Sequence, residues 1–238
     1  MRLGLSSAAA ADADIDSLLA ASARRGLVTL ELRDEDMHGV VDATSAAAAA
    51  MLASDFGVAI AALRSTTPAP AGRTEAAEVA AKLDAPVLVA HGSIAERVAA
   101  VRDLEERGVR AMVEVSGPAG GWLADVTGAD VDVAWQIDES VTDMAGDLRR
   151  AQRNVPGRLR YVRLLGGGPE TAMADGRGIG ALMGQLALAR FDGPLIVAPS
   201  SPRYHVAWGA WLGRRGGWGC GSKAERDVVT LSPTGMEG

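Results

Sequence analysis

The chain has 238 residues, 48% of them hydrophobic and 23% charged, with a mean hydropathy of +0.10, which excludes a disordered chain and suits one α/β domain with a sizeable core. A net charge of −6 and a pI near 5.1 argue against a nucleic-acid partner, whose phosphates need neutralising. No apolar run reaches the roughly 20 residues of a membrane span, so no membrane role is expected. A single cysteine, Cys220, and a start (MRLGLSS) without a secretory pattern point to a reducing cytoplasm.

In chain order, apolar runs and helix stop signals predict a strand over 2–6, a helix over 12–25 closed by Gly26, a strand over 27–33 and a polar loop over 34–42. An Ala-rich helix over 44–55 ends at Gly57 and leads to a strand over 58–64. After a Pro/Gly-marked link over 67–72 come a helix over 75–83, a strand over 86–90, a helix over 94–107 and a strand over 110–115. A short, poor helix over 122–127 precedes a strand over 131–137 and a helix over 142–154. The clearest unit follows: strand 159–165, Gly-rich loop 166–178, helix 179–191 and strand 194–199. Short links around a helix require its flanking strands to be parallel. A last helix over 204–212 leads into a Gly-rich tail.

Eight strands, each followed by a helical segment, predict a single (β/α)8 TIM barrel over 1–223 with a loose end over 224–238. A doubly wound open sheet is the alternative. Its nucleotide-binding form needs a Gly-rich turn after the first strand, and Ser6-Ser7-Ala8 does not supply one.

Barrel chemistry sits at the C-terminal ends of the strands, and strand alternation selects the residues that share a face there. Glu31 and Arg33 do so on the second strand, Glu114 and Ser116 on the fifth, and Gln136 and Asp138 on the sixth. With Arg64, His91 and Arg163 they form a polar ring. The bland reading of that ring is internal pairing, Glu114 with Arg163 and Glu31 with Arg33 or Arg64. His38 reads as an exposed loop residue and His205 as a packing residue. The ends of the seventh and eighth strands offer Gly166, Gly167 and Gly168, Gly176 and Gly178, Ser200, Ser201 and Arg203, an expected anion site built from backbone N–H groups. The Trp-rich and Gly-rich stretch around Cys220 is open to three readings: a plug of the barrel bottom, a homodimer interface, or a lid.

The segments LGLSS, GLVTLELR, AAKLDAPVLVAHG, RAMVEV, VDVAWQ, LRYVRLL and FDGPLIVA, in this order, resemble the xylose-isomerase-like barrel family of sugar-phosphate isomerases and epimerases. That resemblance implies a divalent metal held by Glu, Asp, His and Glu at the ends of the fifth to eighth strands. The matching positions are Glu114, Gln136, Arg163 and Ala198, and only the first is kept. An Arg where a ligand belonged places a permanent cation in the metal's position. No metal and no other cofactor is therefore expected, and with three His in the chain a multinuclear zinc cluster is excluded.

The resemblance then implies a metal-independent isomerase, epimerase or lyase that moves a proton next to a carbonyl of a small polar, sugar-like and optionally phosphorylated substrate. Glu114 is the expected base and Arg163 the electrostatic substitute for the metal, with His91 or Asp138 returning the proton. Glu31, Arg33, Arg64, Gln136, Gly167, Ser200, Ser201 and Arg203 are the expected substrate contacts. The alternative is a non-catalytic descendant that binds a small molecule or a partner protein in the same pocket. What separates the two is whether Glu114, Arg163 and His91 are open to substrate or closed by their own pairing.

Overall fold

The computed structural model describes residues 1–35, 38–40, 42–66, 70–138, 140–167, 179–205, 207–208 and 210. Glu139, Gly168, the 176–178 glycine loop, the Trp-rich tail with Cys220 and the 224–238 end lie outside them. Eight strands close in sequence order into a parallel barrel: β1 (Arg2–Ser6), β2 (Thr29–Arg33), β3 (Ala59–Ser65), β4 (Val87–Val89), β5 (Ala111–Ser116), β6 (Val133–Ile137), β7 (Leu159–Gly166) and β8 (Pro194–Pro199). Closure is made by β8 pairing with β1, Arg2 opposite Pro194 through Leu5 opposite Val197. The helices between them are α1 (Ile15–Arg24), α2 (Ala43–Asp55), α3 (Pro70–Leu83), α4 (Ile94–Glu106), α5 (Leu123–Thr127), α6 (Met144–Asn154) and α7 (Ile179–Leu188). None of the described helices is long and apolar enough to cross a membrane.

Local chemistry accounts for the helix starts. Asp14 caps α1 by accepting from Ser17 N–H at 2.7 Å. Asp42 with Ser45 caps α2, and Ser93 with Glu96 caps α4, each as a reciprocal box that satisfies backbone N–H groups with no partner inside the helix. Gly26 and Gly108 close α1 and α4 at φ of +68° and +78°, a conformation that costs any residue with a Cβ. Three sequence expectations shift. Helix α3 begins at Pro70, inside the expected link, because proline's fixed φ suits a first helical turn. A 3-10 turn over Ser7–Ala10 follows β1 where none is expected. A second one, Ala119–Gly121, precedes α5.

Two apolar layers hold the molecule together. The larger fills the space between strands and helices and includes Leu5, Leu30, Val113, Val115, Trp135, Val162 and Leu195 from the strands. The smaller lies inside the barrel: Ala62, Leu88, Met112, Ala134, Tyr161 and Ile196, contributed by β3 to β8. Successive strand residues point to opposite faces, so the interior row continues two residues on toward the C-terminal mouth, at Arg64, Glu114, Gln136, Arg163 and Ala198. The apolar plug thus ends where the charged positions begin. Trp122 packs on Trp135 at 6.2 Å between ring centroids, and Trp135 Nε1 donates to the Gly117 carbonyl at 2.9 Å, pinning the loop after β5.

Candidate functional site

Two ion pairs cross the upper barrel. Arg64 on β3 grips Glu114 on β5 side-on, Nε to Oε2 at 2.8 Å and Nη2 to Oε1 at 2.9 Å. Arg163 on β7 donates through Nε to Glu31 Oε1 on β2 at 3.1 Å, and through Nη1 to Gln136 Oε1 on β6 at 2.5 Å. Tyr161, two residues before Arg163 and on the same face, donates its hydroxyl to Glu31 Oε2 at 2.6 Å. Glu31 and Tyr161 are wholly buried, and Glu114 and Arg163 nearly so. The pairing differs from the expected one: Glu114 takes Arg64 instead of Arg163, and Glu31 takes Arg163 instead of Arg33 or Arg64. Arg33 bridges instead to Glu35.

Electrostatics follow from that pairing. Burial alone raises the Glu114 pKa, but the hydrogen bonds and charge of Arg64 outweigh it, with Arg163 and Arg97 adding their charge, so Glu114 is held below the ordinary carboxylate range. Burial alone lowers the Arg64 pKa, and Glu114 reverses this to a net rise. Burial and the neighbouring Glu31 charge push Tyr161 well above a free phenol, so it stays a donor.

The remaining expected residues lie around this pair of bridges. Asp138, half-buried at the end of β6, accepts at Oδ1 from Ser140 N–H at 2.9 Å and from Ser140 Oγ. His91 is exposed after β4, close enough to Glu96 for its charge to act there. Ser200 N–H is already spent on the Gly166 carbonyl at 2.8 Å. Gly167 lies against the Tyr204 ring, and exposed Arg203 lies over that ring at 4.7 Å and donates to its hydroxyl. His38 corrects the sequence reading: it is buried, with Nδ1 2.7 Å from the Ala13 carbonyl, and ties the loop after β2 to the segment before α1. Sequence reasoning missed two residues. Tyr161 was signalled by its two-residue spacing from Arg163. Arg97, in the first turn of α4, donates through Nη1 to the Glu114 carbonyl at 2.6 Å, and only the strand-to-helix link made that reach visible.

The metal implied by the family resemblance does not fit these residues. Both Glu114 oxygens are engaged by a guanidinium, Gln136 turns its oxygen to Arg163, and Ala198 offers no ligand atom. Among the described residues no group of three or more His, Cys, Asp or Glu converges as a metal site.

No protein-family profile matches the chain, and no curated protein matches it significantly. Solved structures do. A D-psicose 3-epimerase from Clostridium cellulolyticum H10, crystallised with D-tagatose, superposes with a TM-score of 0.64 at 17% identity, over 87% of this chain and 90% of that one. The chain shares the closed (β/α)8 barrel fold of that enzyme. A xylose isomerase domain protein from Salmonella typhimurium LT2 gives 0.60 at 13% identity over 90% and 95% of the two chains. A 3-keto-D-glucoside 4-epimerase from E. coli gives 0.57 at 13% identity over 89% and 98%. The shared barrel fold thus covers nearly the whole of these chains, and the charged interior described above occupies its C-terminal mouth.

Proposed function

We propose that this protein is a metal-independent enzyme of the sugar isomerase and epimerase kind, moving a proton next to the carbonyl of a small polar substrate. The observation that carries this reading is the pair of buried ion bridges at the catalytic end of a barrel shared with sugar epimerases. Burying two carboxylates and two guanidinium groups is expensive, and apolar residues of similar volume would hold the same space as well or better. A purely structural core has no use for them. Arg163 offers a fixed charge for the oxyanion that forms when the proton leaves, and Glu114 is the base that takes that proton. Arg64 holds Glu114 as a poor base until substrate competes for its guanidinium. Asp138 Oδ2 has no hydrogen-bond partner among the described residues and shares a face with Gln136, which suits it to return the proton.

The test is exchange of substrate carbon-bound hydrogen with deuterated water, followed by NMR on D-tagatose, D-fructose and D-allulose, the sugars bound in related epimerase structures. Wild type is expected to incorporate deuterium, Glu114→Gln to lose exchange while still binding sugar, and Arg163→Lys to be strongly impaired. Elemental analysis of the purified protein is expected to find no stoichiometric metal. A phosphorylated substrate would use Arg203, Gly167 and Ser201, and phosphate should then raise the melting temperature in wild type but not in Arg203→Ala.

The clamp on Glu114 favours a second reading, a ligand-binding barrel without turnover. Absence of exchange with every ketose, together with variants that only weaken binding, decides for it.

A further inference from the structure

We infer that Arg97 is a positioning residue behind the proposed base: it fixes the Glu114 backbone and supplies the charge that keeps the Glu114 carboxylate anionic once substrate draws Arg64 away. This rests on the reading of Glu114 as the base. Val89, the last residue of β4, pairs with Val113 of β5, so Glu114 lies one step past the end of that ladder. Arg97 reaches over from the first turn of α4 and fills the step, donating through Nη1 to the Glu114 carbonyl at 2.6 Å. A neutral donor would satisfy that carbonyl as well. Arg97 brings a permanent cation instead, and at a cost, because its Nε is buried without a hydrogen-bond partner. Among the described residues it bridges to no carboxylate.

The charge has a use at Glu114 in particular. The cations that act on Glu114 are Arg64 on β3, Arg163 on β7 and Arg97 on α4, with the Tyr161 hydroxyl on β7 also coupled to it. Arg163 is offset by its own bridge to Glu31 on β2. Of the other titratable groups on the elements around β5, Glu96 on α4 accepts from Ser93, Asp138 after β6 accepts from Ser140, and His91 after β4 and Asp125 on α5 are exposed. When substrate takes Arg64, Glu114 loses two hydrogen bonds, and burial then favours the neutral acid, which is no base. Arg97 opposes that. It is held by the carbonyl and not by the carboxylate, so it stays when Arg64 leaves, and it leaves both carboxylate oxygens clear for the proton.

The test follows melting temperature from about pH 6 to pH 3 in wild type, Arg97→Gln, Glu114→Gln and the double variant. Glu114 is held below its unfolded value, so its contribution is lost as pH falls through the folded value. Arg97→Gln raises that folded value and should therefore lose less over this range than wild type. In the Glu114→Gln background the difference should largely vanish. Arg97→Lys, which keeps charge and donor, should follow wild type, and Arg97→Met takes the place of Arg97→Gln if the latter does not fold. An equal lowering at every pH, or the same pH difference without Glu114, makes Arg97 a brace only and overturns the inference. In deuterium exchange, the acid limb of kcat should move up by about one pH unit in Arg97→Gln with KM little changed, and return in Arg97→Lys. A limb that stays in place overturns it too. No exchange in wild type with the melting pattern intact overturns the reaction and leaves Arg97 as the residue that sets the Glu114 charge. Exchange in wild type without that pattern does the reverse.

Discussion

Glu31 and Glu114 carry the same group and are both buried, yet their partners make them chemically different. Glu31 receives a phenol and a guanidinium in full burial. Glu114 faces Arg64, whose side chain is 16% exposed against 6% for Arg163, so under the proposed function its clamp is the one that substrate opens. The depressed pKa of Glu114 gives a direction to the acid stability of the fold. Its contribution is complete above the unfolded carboxyl value of about 4.3 and is lost as pH falls through the lower folded value. Melting temperature followed from about pH 6 to pH 3 should therefore fall more steeply in wild type than in Glu114→Gln. Tyr161 works in the other direction, because its raised pKa contributes stability that is complete below about pH 10 and is lost as pH rises through the folded value. Tyr161→Phe leaves Glu31 Oε2 buried and one donor short, a cost of about 1–3 kcal/mol in urea unfolding. A Tyr161→Phe protein as stable as wild type at pH 7 would mean that water replaces the hydroxyl.

At the scale of strands, which residues face the barrel interior was legible in the sequence, and who meets whom was not. Alternation from Glu31, Glu114, Gln136 and Arg163 gives the inward face, since a strand repeats every two residues. Partner choice depends on how strands slide past each other, and two irregularities set that here. The β2 to β3 register skips Ala61, between Leu30 opposite Ile60 and Glu31 opposite Ala62. The β6 to β7 register skips Arg160, between Val133 opposite Leu159 and Ala134 opposite Tyr161. Each shifts one Arg-bearing strand by a residue against its neighbour. No composition or periodicity signal marks such a slip. Close strand approach makes another element-level demand. A Cβ on Gly4 of β1 would collide with the Thr29 side chain and carbonyl of β2 and with Ile196 of β8. Gly4→Ala should cost about 1–3 kcal/mol or prevent folding, as overpacking does, while Gly120→Ala, which meets open space, should be nearly neutral. Chemical denaturation of the two variants side by side checks this.

Across the whole molecule, the bridges join β3 to β5 and β2 to β7, so four of the eight strands meet at one charged layer above the apolar plug. Such a layer is costly to form and costly to break in half. Removing one member strands its partner, and Arg64→Met should destabilise the fold by about 3–5 kcal/mol because Glu114 is left buried and uncompensated. Removing both members abolishes the desolvation cost along with the attraction, so Arg64→Met/Glu114→Leu should unfold close to wild type or later. The two single variants and the double one, compared by urea unfolding, give the coupling directly. If the double variant loses as much as the two singles added together, the bridge is not a closed pair, and the reading of Glu114 as a base held in reserve by Arg64 fails with it. If the double variant is stable and loses sugar binding or exchange, the protein carries this charged layer at the expense of stability for the sake of the ligand, which a scaffold with no substrate would not need.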